Sequence, residues 1–115
     1  MEIVQLGKTD LKVSRLGVGL VEIGLQITQG DKDQAYDVLN TALDGGINFF
    51  DTAECYGISE DLIGAALSAK RDKFVLATKA GHPSYGTEGV RWHVNTIKKS
   101  IDRSLKRLKT DYVDI

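Results

Sequence analysis

The sequence predicts an α/β fold in which parallel strands are joined by crossover helices. Three observations carry this. Apolar runs of strand length alternate with segments of helical period, in the order strand, helix, strand, helix, strand, helix, strand. The inner runs are apolar on successive residues, as in strands covered on both faces. A hairpin pattern precedes them. Alternation alone fits both a closed barrel and an open doubly wound sheet. The open dinucleotide-type sheet needs a glycine fingerprint after its first strand, but Gly17-Val18-Gly19-Leu20-Val21-Glu22 places Glu22 where the third glycine belongs. A hairpin able to plug the bottom of a barrel also favours the barrel.

Ile3 and Val4, a turn at Gly7-Lys8-Thr9-Asp10, and Leu11 with Val13 form that hairpin, which feeds a short buried strand at Leu16-Gly17-Val18-Gly19. Asp31 opens the first helix, with Gln34 as its capping-box partner and Ala35, Val38, Leu39, Ala42 and Leu43 at helical spacing. Gly45-Gly46 ends it. Ile47 to Phe50 is a buried strand whose only polar member is Asn48, and it terminates in Asp51.

After a loop from Thr52 to Ile58, Ser59 is placed to cap a second helix with Glu60 and Asp61 in its first turn, where acids meet the positive end of the dipole. Leu62, Ile63, Ala66 and Leu67 form its buried stripe. Lys70-Arg71-Asp72 ends it, and Phe74 to Thr78 is another buried strand, terminating in Lys79. Ala80 to Gly89 is a loop by composition, containing Pro83. A longer helix then steps through Val94, Ile97, Ile101, Leu105 and Leu108, and Asp111 to Ile115 begins a fourth strand.

The bulk properties narrow the function. With 115 residues, 42% hydrophobic and 27% charged, the chain suits one globular domain or part of one. A net charge of -1 gives no electrostatic reason to expect nucleic acid or an anionic membrane as partner. The basic residues from Lys98 to Lys109 interleave with Ile101, Leu105 and Leu108, as on the wet side of an amphipathic helix. The single cysteine, Cys55, excludes an internal disulfide framework and fits a reducing compartment. Cys55, His82 and His93 match no zinc spacing, so no metal site is expected. Without a basic leader before an apolar stretch, and with no run of roughly 20 apolar residues, the cytoplasm is the default.

In parallel α/β folds reactive groups gather at the carboxyl ends of strands, where loops vary over fixed roots. Asp51 and Lys79 stand at two such ends, with Tyr56 in the loop between them. An ionised Asp51 would hold Lys79 protonated, and a cation beside Tyr56 would lower the phenol pKa from its reference near ~10. Such a tyrosine can give a proton to a carbonyl oxygen and take it back. Taken singly, each residue has a plainer reading: a turn cap, a half-buried loop aromatic and a surface charge.

The stretches GGINFFDTAECYG (Gly45 to Gly57), SEDLIGAAL (Ser59 to Leu67), FVLATK (Phe74 to Lys79) and SIDRSLKRLKTDYVDI (Ser100 to Ile115), in that order, resemble the aldo-keto reductases. The resemblance runs from about Gly7 to Ile115. It implies a (β/α)8 TIM-type barrel that reduces aldehydes or ketones with NADPH, NADH not being excluded, through a tetrad of Asp, Tyr, Lys and His. By resemblance Tyr56 is the general acid/base, Lys79 lowers its pKa, and Asp51 orients Lys79 beside the nicotinamide ribose. Gly19, Leu20 and Val21 match the first loop segment that passes the nicotinamide.

The tetrad histidine is expected beyond Ile115; neither His82, in the loop after the third strand, nor His93, near the start of the third helix, matches its position. His82 is either a lining of the substrate mouth or a solvated loop residue. Trp92 reads as packing in the first turn of its helix, and Cys55 as a small buried residue. A barrel of this kind takes roughly 250 residues. Residues 1–115 are therefore expected to form the amino-terminal part of a single barrel domain, with four strands, three helices and the hairpin. The phosphate site near the seventh and eighth strands would be absent. Alone, such a half-barrel is expected to be inactive, and to self-associate or to need its missing half because of its open edges. The alternative function is a non-catalytic, cofactor-sensing or interaction domain on the same scaffold.

Overall fold

A computed structural model describes residues 1–26, 31–82 and 89–115. Strands β1 (Ile3–Gln5) and β2 (Lys12–Ser14) pair antiparallel, with Val4 opposite Val13, and form the expected hairpin. Gly7 turns the chain with φ +57°, a conformation in which a side chain is strained. Asn48, the polar exception in an apolar run, ties this hairpin to the sheet. Its Oδ1 accepts from the Ser14 amide at 2.6 Å, its amide nitrogen donates to the Lys12 carbonyl at 3.0 Å, and its backbone N–H donates to the Ser14 hydroxyl at 3.0 Å.

Strands β3 (Val18–Gly19), β4 (Phe49–Asp51) and β5 (Val75–Ala77) form a parallel sheet in the order β3-β4-β5. The register sets Gly19, Asp51 and Ala77 level with one another at the carboxyl ends. Helices α2 (Lys32–Asp44), α3 (Ser59–Leu67) and α4 (Val94–Leu108) supply the crossovers. Phe50 and Leu76, both fully buried, meet Leu20, Leu39, Leu62, Ile63, Leu67 and Leu108 in one apolar cluster. Phe74 joins it edge-on to Phe50, with ring centroids 5.4 Å apart. Because side chains alternate along a strand, Phe49 and Asp51 lie on the face opposite Phe50.

Several expectations need correction. A short helix, α1 (Val21–Gln26), follows β3 where a loop was expected. Asp31 occupies the N-cap position of α2 without a capping side-chain bond. Ser59 lies inside α3, after Ile58 at the cap; its hydroxyl instead shares a buried hydrogen bond with that of Thr52, at 2.7 Å. The segment Asp111 to Ile115 is not assigned as a strand. It nevertheless runs beside β5: the amides of Asp114 and Ile115 donate to the Leu76 carbonyl at 3.1 and 3.2 Å, and the Thr78 amide donates to the Ile115 carbonyl at 3.0 Å.

The buried face of α4 is the largest departure. Thr96, Ser100, Ser104 and Leu108 are buried, whereas Val94 and Ile101 of the apolar series are exposed. The loop expected from Ala80 to Gly89 falls mostly on residues 83–88, outside the described residues. No helix among the described residues is long and apolar enough to cross a membrane.

Candidate active site

Asp51 and Ala77 are register partners, and Lys79 lies two residues beyond Ala77, so it shares the face of Asp51. Its ammonium reaches back to that carboxylate: Nζ donates to Oδ1 at 2.8 Å, to Oδ2 at 2.9 Å and to the Thr52 carbonyl at 3.0 Å. The same nitrogen stands 5.0 Å from the centroid of the Tyr56 ring, within cation–π range. The three predicted residues are therefore together at the carboxyl edge of the sheet. Desolvation works against the charge on Lys79, but hydrogen bonding to Asp51 and attraction by it outweigh that, with help from Tyr56, and hold its pKa above the ordinary lysine value.

Tyr56 sits in a tight turn: its amide donates to the Ala53 carbonyl at 3.0 Å, and its carbonyl accepts from the Ser59 amide at 3.0 Å. One side of that turn lies against α1. The Ile58 amide donates to the Gly24 carbonyl at 3.1 Å, and a methyl group at Gly24 would overlap the Tyr56 carbonyl oxygen. Gly24 thus explains its own identity, since no side chain fits between helix and turn.

Glu54 holds the other side. Its carboxylate is buried, at 1% exposure, and accepts from the Ser100 hydroxyl and from Arg103 Nε of α4. Burial raises its pKa, but Arg103 and Ser100, supported by the charges of Arg103 and Arg107, more than reverse this and leave it below the usual carboxylate range. Glu60 is as deeply buried. It accepts from Thr78 Oγ1 at 2.7 Å and faces Arg107 at 3.6 Å. Here burial prevails over Ser104, Thr78 and Arg107, and the carboxyl is pushed up. The first-turn position expected for Glu60 holds, but neither its burial nor that of Glu54 is evident from the sequence around them. The available signal was the row of small polar residues, Thr96, Ser100 and Ser104, at four-residue spacing on α4.

The expected nicotinamide segment divides. A methyl group at Gly19 would meet nothing within 4 Å, so the space at this point, level with Asp51, is open. Leu20 is 1% exposed, with its side chain in the core, so what it presents at the sheet edge is its backbone, whose amide donates to the Asp51 carbonyl at 3.0 Å. Val21 is half-buried at the start of α1. Cys55 is a half-buried free thiol rather than a fully buried one.

His82 is half-buried, with Nδ1 lacking a hydrogen-bond partner, and its ring lies 6.3 Å from that of Trp92. Trp92 is not in the first turn of α4. It precedes the helix, 67% exposed, with a left-handed φ of 64° and its amide donating to the Gly81 carbonyl at 2.9 Å. His93 is the N-cap of α4, with Nδ1 accepting from the Asn95 amide at 3.3 Å. Among the described residues, no group of three or more His, Cys, Asp or Glu side chains is placed to hold a metal ion.

The aldo/keto reductase family model matches residues 15–115. An uncharacterized oxidoreductase of Bacillus subtilis, YqkF, is 39% identical over 96% of this chain and 36% of its own length. The L-galactose dehydrogenase of Arabidopsis thaliana is 40% identical over all of this chain and 37% of its own. The solved structure of a putative aldo-keto reductase from Pseudomonas aeruginosa superposes with a TM-score of 0.83 at 40% identity, covering 96% of this chain and 43% of that one. The chain thus spans less than half of each of these relatives.

Proposed function

This chain belongs to the aldo/keto reductase family, a family of oxidoreductases on a barrel of which residues 1–115 form an open part, and from that premise we propose that the whole protein reduces aldehydes or ketones to alcohols with NADPH. The observation that carries this reading is the position of the Lys79 ammonium, bonded to both Asp51 oxygens and 5.0 Å from the Tyr56 ring.

The nicotinamide supplies the hydride when bound. As the carbonyl carbon accepts it, negative charge grows on the carbonyl oxygen, and Tyr56 delivers the proton that neutralises it. Lys79 stabilises the phenolate left behind. Asp51 keeps Lys79 charged and aimed, since an ammonium held by two carboxylate oxygens and a carbonyl has little freedom to swing away. In the reverse direction Tyr56 takes the proton from the alcohol. The open space at Gly19, beside the Asp51 carboxylate, suits the nicotinamide end of the cofactor.

The test is consumption of NADPH or NADH by the whole protein across a panel of aldehydes and ketones. Loss of the reduced nucleotide only when a carbonyl compound is present supports the proposal. No consumption with either nucleotide across the panel overturns it.

A further inference from the structure

We propose that Glu54 and Glu60, acting through Arg103 and Arg107 of α4, are positioning residues that fix Tyr56 relative to Lys79; this rests on the functional reading above. Glu54 stands two residues before Tyr56, and Glu60 four residues after it. Glu54 grips α4 through Ser100 and Arg103, while its own amide donates to the Lys79 carbonyl at 3.4 Å. Glu60 holds Thr78, the residue immediately before Lys79, at 2.7 Å. Arg107 serves both acids, bonding the Glu54 carbonyl at 3.3 Å and lying 3.6 Å from the Glu60 carboxylate. The two flanks of the Tyr56 turn and the strand end that carries Lys79 therefore converge on one face of one helix.

Apolar side chains would fill these positions at lower cost, because burying carboxylates and guanidinium groups requires desolvation that their mutual attraction offsets only in good geometry. What the polar arrangement adds is direction. Hydrogen bonds from fixed donors define where a backbone sits more narrowly than apolar contact does. Placement matters at this site, since a displacement of about 1 Å between reacting groups lowers rates on the order of 10²-fold. None of the four residues bonds the side chains of Asp51, Tyr56 or Lys79, so each acts at one remove from the chemistry.

Two readouts test the proposal in the whole protein and in its Glu54→Gln, Thr78→Val and Ser100→Ala variants. The first is the ring-current shift that the Tyr56 ring imposes on the Lys79 side-chain protons in NMR spectra, with Tyr56→Leu as the blank. It depends on the geometry between the two residues and needs no activity. The proposal expects that shift to diminish in Glu54→Gln and Thr78→Val, and to a smaller degree in Ser100→Ala. The second is steady-state kinetics, where kcat should fall roughly tenfold to a hundredfold while KM for the carbonyl stays within about threefold.

Ser100→Ala leaves the Glu54 charge pair in place and carries the test if Glu54→Gln does not fold. Folded variants with an undiminished ring-current shift and the kcat of the unmodified protein, but a lower melting temperature, would show the network to be structural only and overturn the proposal. A whole protein without carbonyl reduction removes the functional reading, and the ring-current shift then decides the positioning alone.

Discussion

Lys79 donates to both carboxylate oxygens of Asp51, at 2.8 and 2.9 Å, from two residues beyond the end of the neighbouring strand of a parallel sheet. The register makes this pairing available. Asp51 stands opposite Ala77, and the residue two places on returns to the same face, within a lysine's reach. A slip of one residue would turn every side chain of β5 over and send the ammonium into the helical layer.

Alkaline pH should loosen this contact. The pKa of Lys79 is higher in the folded protein than the unfolded reference near ~10.4, so its contribution to stability is complete below that reference and is lost as pH rises through the folded value. Both side chains are about half exposed, which holds the contribution to at most about 1 kcal/mol. Thermal unfolding across the alkaline range should show Asp51→Asn less stable than the unmodified chain near neutrality, with the gap closing above the lysine range. A gap that stays constant there contradicts the pairing.

Glu54 and Glu60 should behave oppositely when neutralised. Glu54, with its pKa depressed, contributes stability above the unfolded carboxylate value that is lost as pH falls through the folded one. Glu60, with its pKa raised, is destabilising while ionised, and acidification relieves it. At neutral pH Glu54→Gln is expected to cost about 1–3 kcal/mol, because Arg103 loses its charged partner. Glu60→Gln keeps an oxygen for Thr78 and is expected to stay within about 1 kcal/mol. Denaturant unfolding of both variants checks this, and equal losses would contradict it.

Gly24→Ala should damage the site. The added methyl overlaps the Tyr56 carbonyl and crowds Ser59, so the turn must move. The expected loss is about 1–3 kcal/mol of stability, together with a fall in kcat of up to about 10²-fold. Measured turnover equal to that of the unmodified protein would show that the turn does not depend on this contact.

Gly19→Val should do the reverse. With open space around a Cβ at this position, the fold should tolerate valine within about 1 kcal/mol. If the nicotinamide enters beside Asp51, however, the isopropyl group occupies its place, and KM for the cofactor should rise about tenfold or more, equivalent to roughly 1.4 kcal/mol. An unchanged cofactor KM would move the nicotinamide away from β3.

Much of this was legible in the chain. The order of elements, the glycine punctuation at Gly45-Gly46 and the placement of Asp51 and Lys79 at strand ends follow from local pattern. The burial of the Leu20 side chain was not legible, because a two-residue strand gives too little alternation to assign a face. The buried side of α4 was not legible because the apolar series Val94, Ile97, Ile101 outweighed Ser100 and Ser104, although the small polar residues are the ones buried where α4 packs. Gly64 shows how closely α3 and α4 approach, since a methyl group there would overlap the Arg107 carbonyl. The burial of Glu54 and Glu60 was not legible, because their arginine partners lie more than 40 residues away on α4, beyond any local pattern.

The central claim is that Tyr56 donates the proton, and Tyr56→Phe tests it most directly. The substitution keeps the ring and removes only the hydroxyl. In the whole protein, NADPH-dependent aldehyde reduction should fall about 10²- to 10⁴-fold, while NADPH affinity, read from nicotinamide fluorescence, stays within about threefold. Turnover within a few-fold of the unmodified protein would contradict the account.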